Sequence, residues 1–267
     1  MWIYATRRYT KFGMASDFYI EWYSMLCRFL TGRDEVVVVC DKKQNIYGRR
    51  MEWLDKRRSG VEKFGNWIEL KKIIRLPEQV AKMSVEFSEK FDLNQDIRVI
   101  SVERPDLFNQ FQDHVVWWNI RNGDDWLDKV EKAFEMIKNQ ATHNHPSDTA
   151  ILLPDKYFGF ECVGHFKSKK KVEVNHVFED GDDKKYHRHK KAFRPGDGRL
   201  KMSTIQSFKG WEVPNVIVVI PSFIPGDKEL YDRIVYTAIT RSKENLIIIN
   251  ANVRYWEFGE GISDEWR

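Results

Sequence analysis

The sequence predicts an α/β protein in which a parallel sheet is flanked by helices. Two observations carry the prediction. Residues 216–220 (VIVVI) and 246–249 (LIII) are unbroken aliphatic runs, the composition of strands buried on both faces in parallel sheets. Ahead of them, strand-like 96–102 and 149–153 bracket a helix-like 124–140, and strands that alternate with helices build parallel sheets.

Length and composition set the outer bounds. The chain has 267 residues, 42% of them hydrophobic, enough for a substantial core in one or two domains. Its 44 basic and 40 acidic residues leave a net charge of +4, which permits nucleic-acid binding without demanding it. Cys27, Cys40 and Cys162 show no CxxC spacing and an odd count, which suits reduced thiols in a cytosol better than a disulfide frame. No apolar run reaches membrane-spanning length, and the first residues lack the apolar centre of a signal peptide. The expectation is an intracellular, cytoplasmic protein that does not contact membranes.

Taken in order, residues 7–12 do not read as a buried strand. Phe18, Trp22, Leu26 and Leu30 recur at fourfold spacing, which predicts an amphipathic helix over 17–31 with Asp17 as its cap and the apolar stripe in the core. VVVV at 36–39 predicts a strand, 49–61 a charged helix with a loop, and 66–76 a short strand leading into a helix that opens at Pro77. Residues 164–198 are rich in Lys, His, Asp and Gly, with KSKKK at 167–171 and KKYHRHKK at 184–191. They predict a solvated hairpin or loop. The sharper alternative is a patch that tracks phosphates, with Tyr186 and Phe193 stacking on bases. His143 with His145, His187 with His189, and Cys162 with His165 are spaced poorly for a structural zinc site. Trp117 and Trp118 fit core packing better than a stacking platform.

The polar link between 200–203 and 216–220 carries the chemistry. Thr204, Gln206, Ser207, Lys209, Gly210 and Glu212 sit where a buried strand ends, and short hydroxyl and amide groups beside a glycine let a backbone approach a phosphodiester or a nucleotide closely. A polar strand-to-helix turn with a solvated lysine is the plainer reading. Arg241 closes an apolar helix over 231–240 just before the 246–249 run. It is placed either to cap the helix or to reach a phosphate across a cleft.

Four segments together resemble the UvrD/Rep-like superfamily 1 DNA helicases. TIQSFKGWE (204–212) and VYTAITRSK (235–243) resemble the family's motifs V and VI, VVVVCDKKQNIYGRR (36–50) resembles motif III, and 70–87 is similar to motif IV, with Arg75 on that motif's arginine. The resemblance implies a RecA-like second motor domain over 70–267 without a large accessory insertion, and a partial first motor domain over 1–69. It implies that ATP and Mg²⁺ are the cofactors of the intact motor, that single-stranded DNA is the partner, and that movement runs 3′ to 5′. Gln44, Arg75 and Arg241 would serve the transferring phosphoryl group, while Gly210 and Glu212 would meet the nucleotide. Thr204, Gln206, Ser207 and Lys209 would hold DNA phosphates, with Tyr47 and Arg49 near a base. Gln206 stands where relatives commonly have His, and Arg49 where they have an aromatic residue.

Two family features are missing from these residues. The chain has no GxxxxGK[ST] loop, the cradle for a triphosphate. At the spacing of the acidic DExxD segment stands GMASDF (13–18), with Gly13 and Met14 in place of the two acids that serve Mg²⁺ and the attacking water. The expectation is a helicase motor portion inactive by itself. It stands as a fragment, as half of a split motor completed by a separate chain carrying the phosphate loop, or as a catalytically dead nucleic-acid-binding module.

Overall fold

In a computed structural model of the chain, the described residues are 4–6, 9–14, 17–28, 35–50, 72–73, 75–93, 101–102, 114–121, 126–140, 145–179, 188–194 and 196–262. Three strands near the N-terminus, Tyr4–Thr6 (β1), Tyr9–Met14 (β2) and Glu35–Val39 (β3), form one small sheet in that order. The valine run is β3, and it pairs in parallel with β2. A strand thus leads into Met14 from Tyr9. The helix between them is shorter than its periodicity predicts, spanning Ile20–Cys27 (α1). Asp17 does not cap it. Phe18 and Tyr23 are buried but Trp22 is 44% exposed, so the fourfold stripe is only partly core.

A two-residue strand Lys72–Ile73 (β4) leads to helix Glu78–Lys90 (α2), with Pro77 at the cap position. β4 pairs in parallel with Ser101–Val102 (β5) in a separate two-stranded sheet, so the described end of the strand predicted at 96–102 does not join the main sheet. The rest of that strand, and the helix predicted at 49–61 beyond Arg50, lie outside the described residues.

The aliphatic runs form the centre of the main sheet. In chain order it is built from Val115–Asn119 (β6), helix Trp126–Gln140 (α3), Thr149–Leu153 (β7), helix Lys156–Ser168 (α4), Val174–His176 (β8), the short helix Arg188–Ala192 (α5), Leu200–Thr204 (β9), the single turn Ile205–Phe208 (α6), Val213–Ile220 (β10), helix Lys228–Ile239 (α7) and Ser242–Asn250 (β11). A last helix, Trp256–Glu260 (α8), packs against β6. The six strands run in the order β6-β11-β10-β7-β9-β8, all parallel. This is the predicted α/β architecture, a parallel sheet flanked by helices. Ala150–Leu153, Val216–Val218 and Leu246–Ile249 are fully buried, and each such aliphatic side chain contributes roughly 1.5–3 kcal/mol when taken from water.

The segment 164–198 departs most from expectation. Its described residues supply most of the last turns of α4, the edge strand β8 and the exposed helix α5, and β8 is held in register by β9 through Asn175 opposite Lys201. Lys201 is fully buried, its ammonium donating to the carbonyls of Asp197 (2.7 Å) and Arg199 (3.0 Å) and, from across the sheet, Ser147 (2.5 Å). Three carbonyl acceptors satisfy its three donors, which is what a buried ammonium requires. Phe193, considered as a stacking ring, is buried instead, its ring 6.3 Å from Phe208. Tyr186, His143 and His187 lie outside the described residues. Trp117 is buried and Trp118 partly so, as core packing predicts.

Candidate nucleotide and nucleic-acid site

Parallel strands open their loops on one edge, and the β9 loop begins with Thr204. Its hydroxyl accepts from the Ser207 backbone N–H at 3.2 Å, capping α6 and fixing the turn that presents Gln206 and Ser207, both partly exposed. After Lys209 the chain reverses at Gly210, whose φ of +88° lies in the region that favours glycine.

Lys209 points inward. Its side chain is 6% exposed, its ammonium is ion-paired with Asp17, and it donates to the Gln44 carbonyl at 2.6 Å. Tyr47 lies beside this seam, its hydroxyl donating to the Gln206 carbonyl at 3.4 Å and its ring 5.6 Å from the lysine ammonium. Arg49 stacks its guanidinium 3.8 Å from the ring centre of Tyr19, which in turn meets Trp22 edge-on at 5.1 Å. Asn45 locks the Arg49 backbone on both sides, its side chain accepting from Arg49 N–H and donating to Arg49 carbonyl.

The 3-10 turn Lys42–Gln44 places the glutamine. Asp41 caps that turn through Lys43 N–H and accepts from the Gln44 amide at 2.8 Å. This orients the Gln44 carbonyl oxygen, which accepts from Arg241 at 2.9 Å. Arg241 is 2% exposed and also donates to the Thr237 carbonyl and the Thr240 hydroxyl, both at 2.8 Å. It thus caps the end of α7, as one of the two readings of its position expects, and also reaches Gln44. Among the described residues no carboxylate touches it. Burial, and then the charge of nearby Arg75, pull its guanidinium down to about 10, so the fold bears a buried cation whose described hydrogen-bond partners are neutral.

Arg75 is ion-paired with Glu212, and Lys243 approaches the other oxygen of the same carboxylate at 3.7 Å. Of the two arginines, Arg75 thus has a carboxylate partner and Arg241 a set of neutral acceptors. Arg75 remains 53% exposed at its side chain, against 17% for Glu212. Gln44, Arg75, Arg241 and Glu212 therefore share one edge, while Thr204, Gln206, Ser207, Tyr47 and Arg49 gather at the β9 loop. Asp17, Tyr19 and Trp22 were missed as neighbours of these residues. Tyr19 and Trp22 are three apart on a predicted core helix, and the reach from Asp17 to Lys209 spans 192 residues, so no local signal marks it.

Among the described residues other reactive groups offer no rival site. Burial pushes the Cys40 thiol up to about 11 and the Cys162 thiol higher still, so neither is a ready thiolate. Among the described residues no group of His, Cys, Asp and Glu could hold a metal ion, and no helix is long and apolar enough to cross a membrane.

Residues 200–249, which contain β9, α6, β10, α7 and most of β11, match the family model of the UvrD-like helicase C-terminal domain. No curated protein matches the chain. Similar solved structures include the C-terminal domain of a possible DNA helicase from Lactobacillus plantarum WCFS1, 16% identical, with 67% of this chain and 88% of that one covered and a TM-score of 0.41. Another is the C-terminal domain of the DEAD-box protein Dbp5, 19% identical, with 56% and 86% covered and a TM-score of 0.35.

Proposed function

We propose that this chain, whose residues 200–249 match the model of the UvrD-like helicase C-terminal domain, works as the second motor domain, over 70–267, of an ATP-dependent 3′–5′ DNA translocase of the UvrD/Rep type, with 1–69 a partial first motor domain. The observation that carries the reading is the hydrogen bond from the buried Arg241 to Gln44, 197 residues apart. A guanidinium held by neutral acceptors keeps its full charge for an incoming anion, as stabilisation of a transferring phosphoryl group requires.

In this reading ATP and Mg²⁺ bind against that edge, with the phosphate loop supplied by another segment or a separate chain. Gln44 orients the water or the γ-phosphate, and Arg241 and Arg75 stabilise its charge. A ribose hydroxyl on Glu212, near the Gly210 turn, would compete with Arg75 for the carboxylate. Nucleotide binding would then release the arginine toward the phosphates. Single-stranded DNA crosses the β9 loop, where Thr204, Gln206 and Ser207 offer phosphate contacts and Tyr47 with Arg49 a stacking surface. Lys209 reaches a phosphate only by exchanging Asp17 for it.

Fluorescence anisotropy with single-stranded and duplex oligonucleotides tests this. Binding should be weak, prefer single strands, fall steeply with salt and weaken for Ser207→Ala and Thr204→Val. Salt-independent or duplex-preferring binding overturns the DNA assignment. Because Gly13 and Met14 replace the acid pair, the chain alone should show no DNA-stimulated ATPase. Turnover of about one per second that Arg241→Ala abolishes would overturn the claim of dependence on another segment.

A further inference from the structure

β8 lies at one edge of the main sheet, yet Val174, Asn175 and His176 are only 4%, 4% and 8% exposed. α5 packs against it, although all five of its own residues are exposed. A helix this short has little stability of its own, so its place depends on side-chain anchors. Three are present. The Glu179 carboxylate accepts from the His189 backbone N–H at 3.1 Å, and the His189 ring stacks on His176 with centres 4.4 Å apart and planes 22° apart. Phe193, just beyond α5, is buried with its ring 6.3 Å from Phe208. Phe208 belongs to α6, the turn that presents Gln206 and Ser207. α5 therefore ties the sheet edge to the β9 loop.

The middle anchor suits a neutral imidazole and not a charged one. Besides His189, the His176 ring meets Phe178 in a stack at 5.7 Å and Phe160 edge-on at 6.5 Å. Its Nδ1 is buried and has no hydrogen-bond partner among the described residues. An imidazolium carries a proton on both nitrogens, so protonation would leave a charged N–H unsatisfied there. The charges that act on the ring are of the wrong sign to help. His189, Lys167 at the end of α4 and Arg199 ahead of β9 all disfavour its charged form, and Arg188, Lys190 and Lys191 add to them on α5 itself. Of the nearby acids, Glu179 holds the His189 backbone and Asp197 holds Arg199.

We propose that α5 is an acid-released strap: protonation of the His176–His189 stack lifts it from β8 and draws Phe193 away from Phe208, which slackens the β9 loop. The consequence for nucleic acid rests on the proposed DNA reading of Thr204 and Ser207; the release itself does not. With α5 docked, burial and then His189 hold His176 down to about 4, whereas a freed imidazole takes its proton near 6.5. Docking is therefore complete above pH 6.5 and weakens as pH falls toward 4, by about 30-fold in the opening equilibrium at pH 5.

Hydrogen exchange on the full chain at pH 7.5 and pH 5, corrected for intrinsic exchange rates, tests the release. Amides of 174–178 and 188–194 should lose protection by about 30-fold at pH 5, while β10 and β11 keep theirs. His176→Phe preserves a stacked ring without a titrating group and should abolish the loss. His189→Phe, a change at an exposed site, should shrink it by removing the neighbouring charge. Unchanged protection of 188–194 at pH 5, an equal loss in His176→Phe, or a simultaneous loss in β10 and β11 overturns the strap. Fluorescein-labelled oligothymidylate at constant ionic strength tests the consequence. Binding should weaken at pH 5 for the parent and hold for His176→Phe. Added protons make the protein more positive, which by itself favours DNA, so a weakening of this kind does not come from charge alone. If α5 opens and binding holds, the tie through Phe208 is refuted. If the parent binds no strand even at pH 7.5, the proposed DNA reading fails, and exchange alone still decides the strap.

Discussion

The main sheet and the N-terminal segment are held by different forces. β7, β10 and β11 are joined by backbone hydrogen bonds under fully buried aliphatic side chains. Residues 17–50 meet α6 and α7 largely through polar groups: Asp17 on Lys209, Gln44 on Arg241, and the Lys42 carbonyl on Arg233 at 3.0 Å. Apolar burial is non-directional and large, whereas each such polar contact nets only about 0.5–1.5 kcal/mol because water replaces it well. The sheet is therefore the main source of stability, and the polar seam is the part whose loss should leave the sheet folded.

The strongest way to break this contrast is a cavity in the sheet. Ile248→Ala, at a fully buried site in β11, should cost about 2–5 kcal/mol in a denaturant melt. A loss under about 1 kcal/mol would mean that the sheet is not the dominant source of stability. The edge of the same sheet supplies the next effect. His176 is buried on β8 with its ring 4.4 Å from His189, and burial followed by the charges of His189 and Lys167 holds it down to about 4. The unfolded imidazole takes a proton near 6.5 and the folded one only near 4. Stability is therefore full above pH 6.5 and is lost as pH falls through that window, by about 2 kcal/mol at pH 5. His176→Phe should remove most of this dependence, read as melting temperature against pH.

The polar seam should respond differently. Arg241→Ala removes the donor to Gln44 and two ties to the end of α7, but also a buried charge without a carboxylate, so the net loss should be about 1–2 kcal/mol. Hydrogen exchange should quicken at 41–48 and leave β10 and β11 protected. Equal loss of protection in the sheet would make the seam part of the core.

The same division decides what was legible in the sequence. β7 falls at the predicted 149–153, and β10 and β11 contain the predicted runs, because strands buried on both faces write their environment into unbroken aliphatic composition. β8 was not legible. Three residues, Val174–His176, have no period to read, and their pairing is set by β9 across the sheet. α4 was hidden for a related reason, since Gly159, Gly164 and His165 interrupt any simple stripe and Gly159 is required by the Phe178 ring, which lies 2.5 Å from where a Cβ would stand. In the site, residue types at Gln44, Arg241 and the β9 loop were legible through motif resemblance. Their partners were not, because Asp17 on Lys209 and Glu212 on Arg75 are products of the fold.

The smallest expected effect is the most diagnostic for the seam. Arg75 lies half in water on Glu212, so the ion pair is screened, and such exposed pairs contribute only about 0–1 kcal/mol. Glu212→Gln keeps the side chain's size and removes its charge, so it should shift stability by less than about 0.5 kcal/mol. It also releases Arg75 and Lys243 from their shared carboxylate. If the pair is an exchangeable latch, the variant should bind inorganic pyrophosphate more tightly than the parent by calorimetry, because two cations no longer need to leave an anion before accepting another. Arg75→Ala in the same background should cancel that gain. A large loss of stability in Glu212→Gln, or unchanged pyrophosphate affinity, would make the pair a fixed strut that joins Arg75 to the β10 end of the sheet, and the seam would then resemble the sheet more than it differs from it.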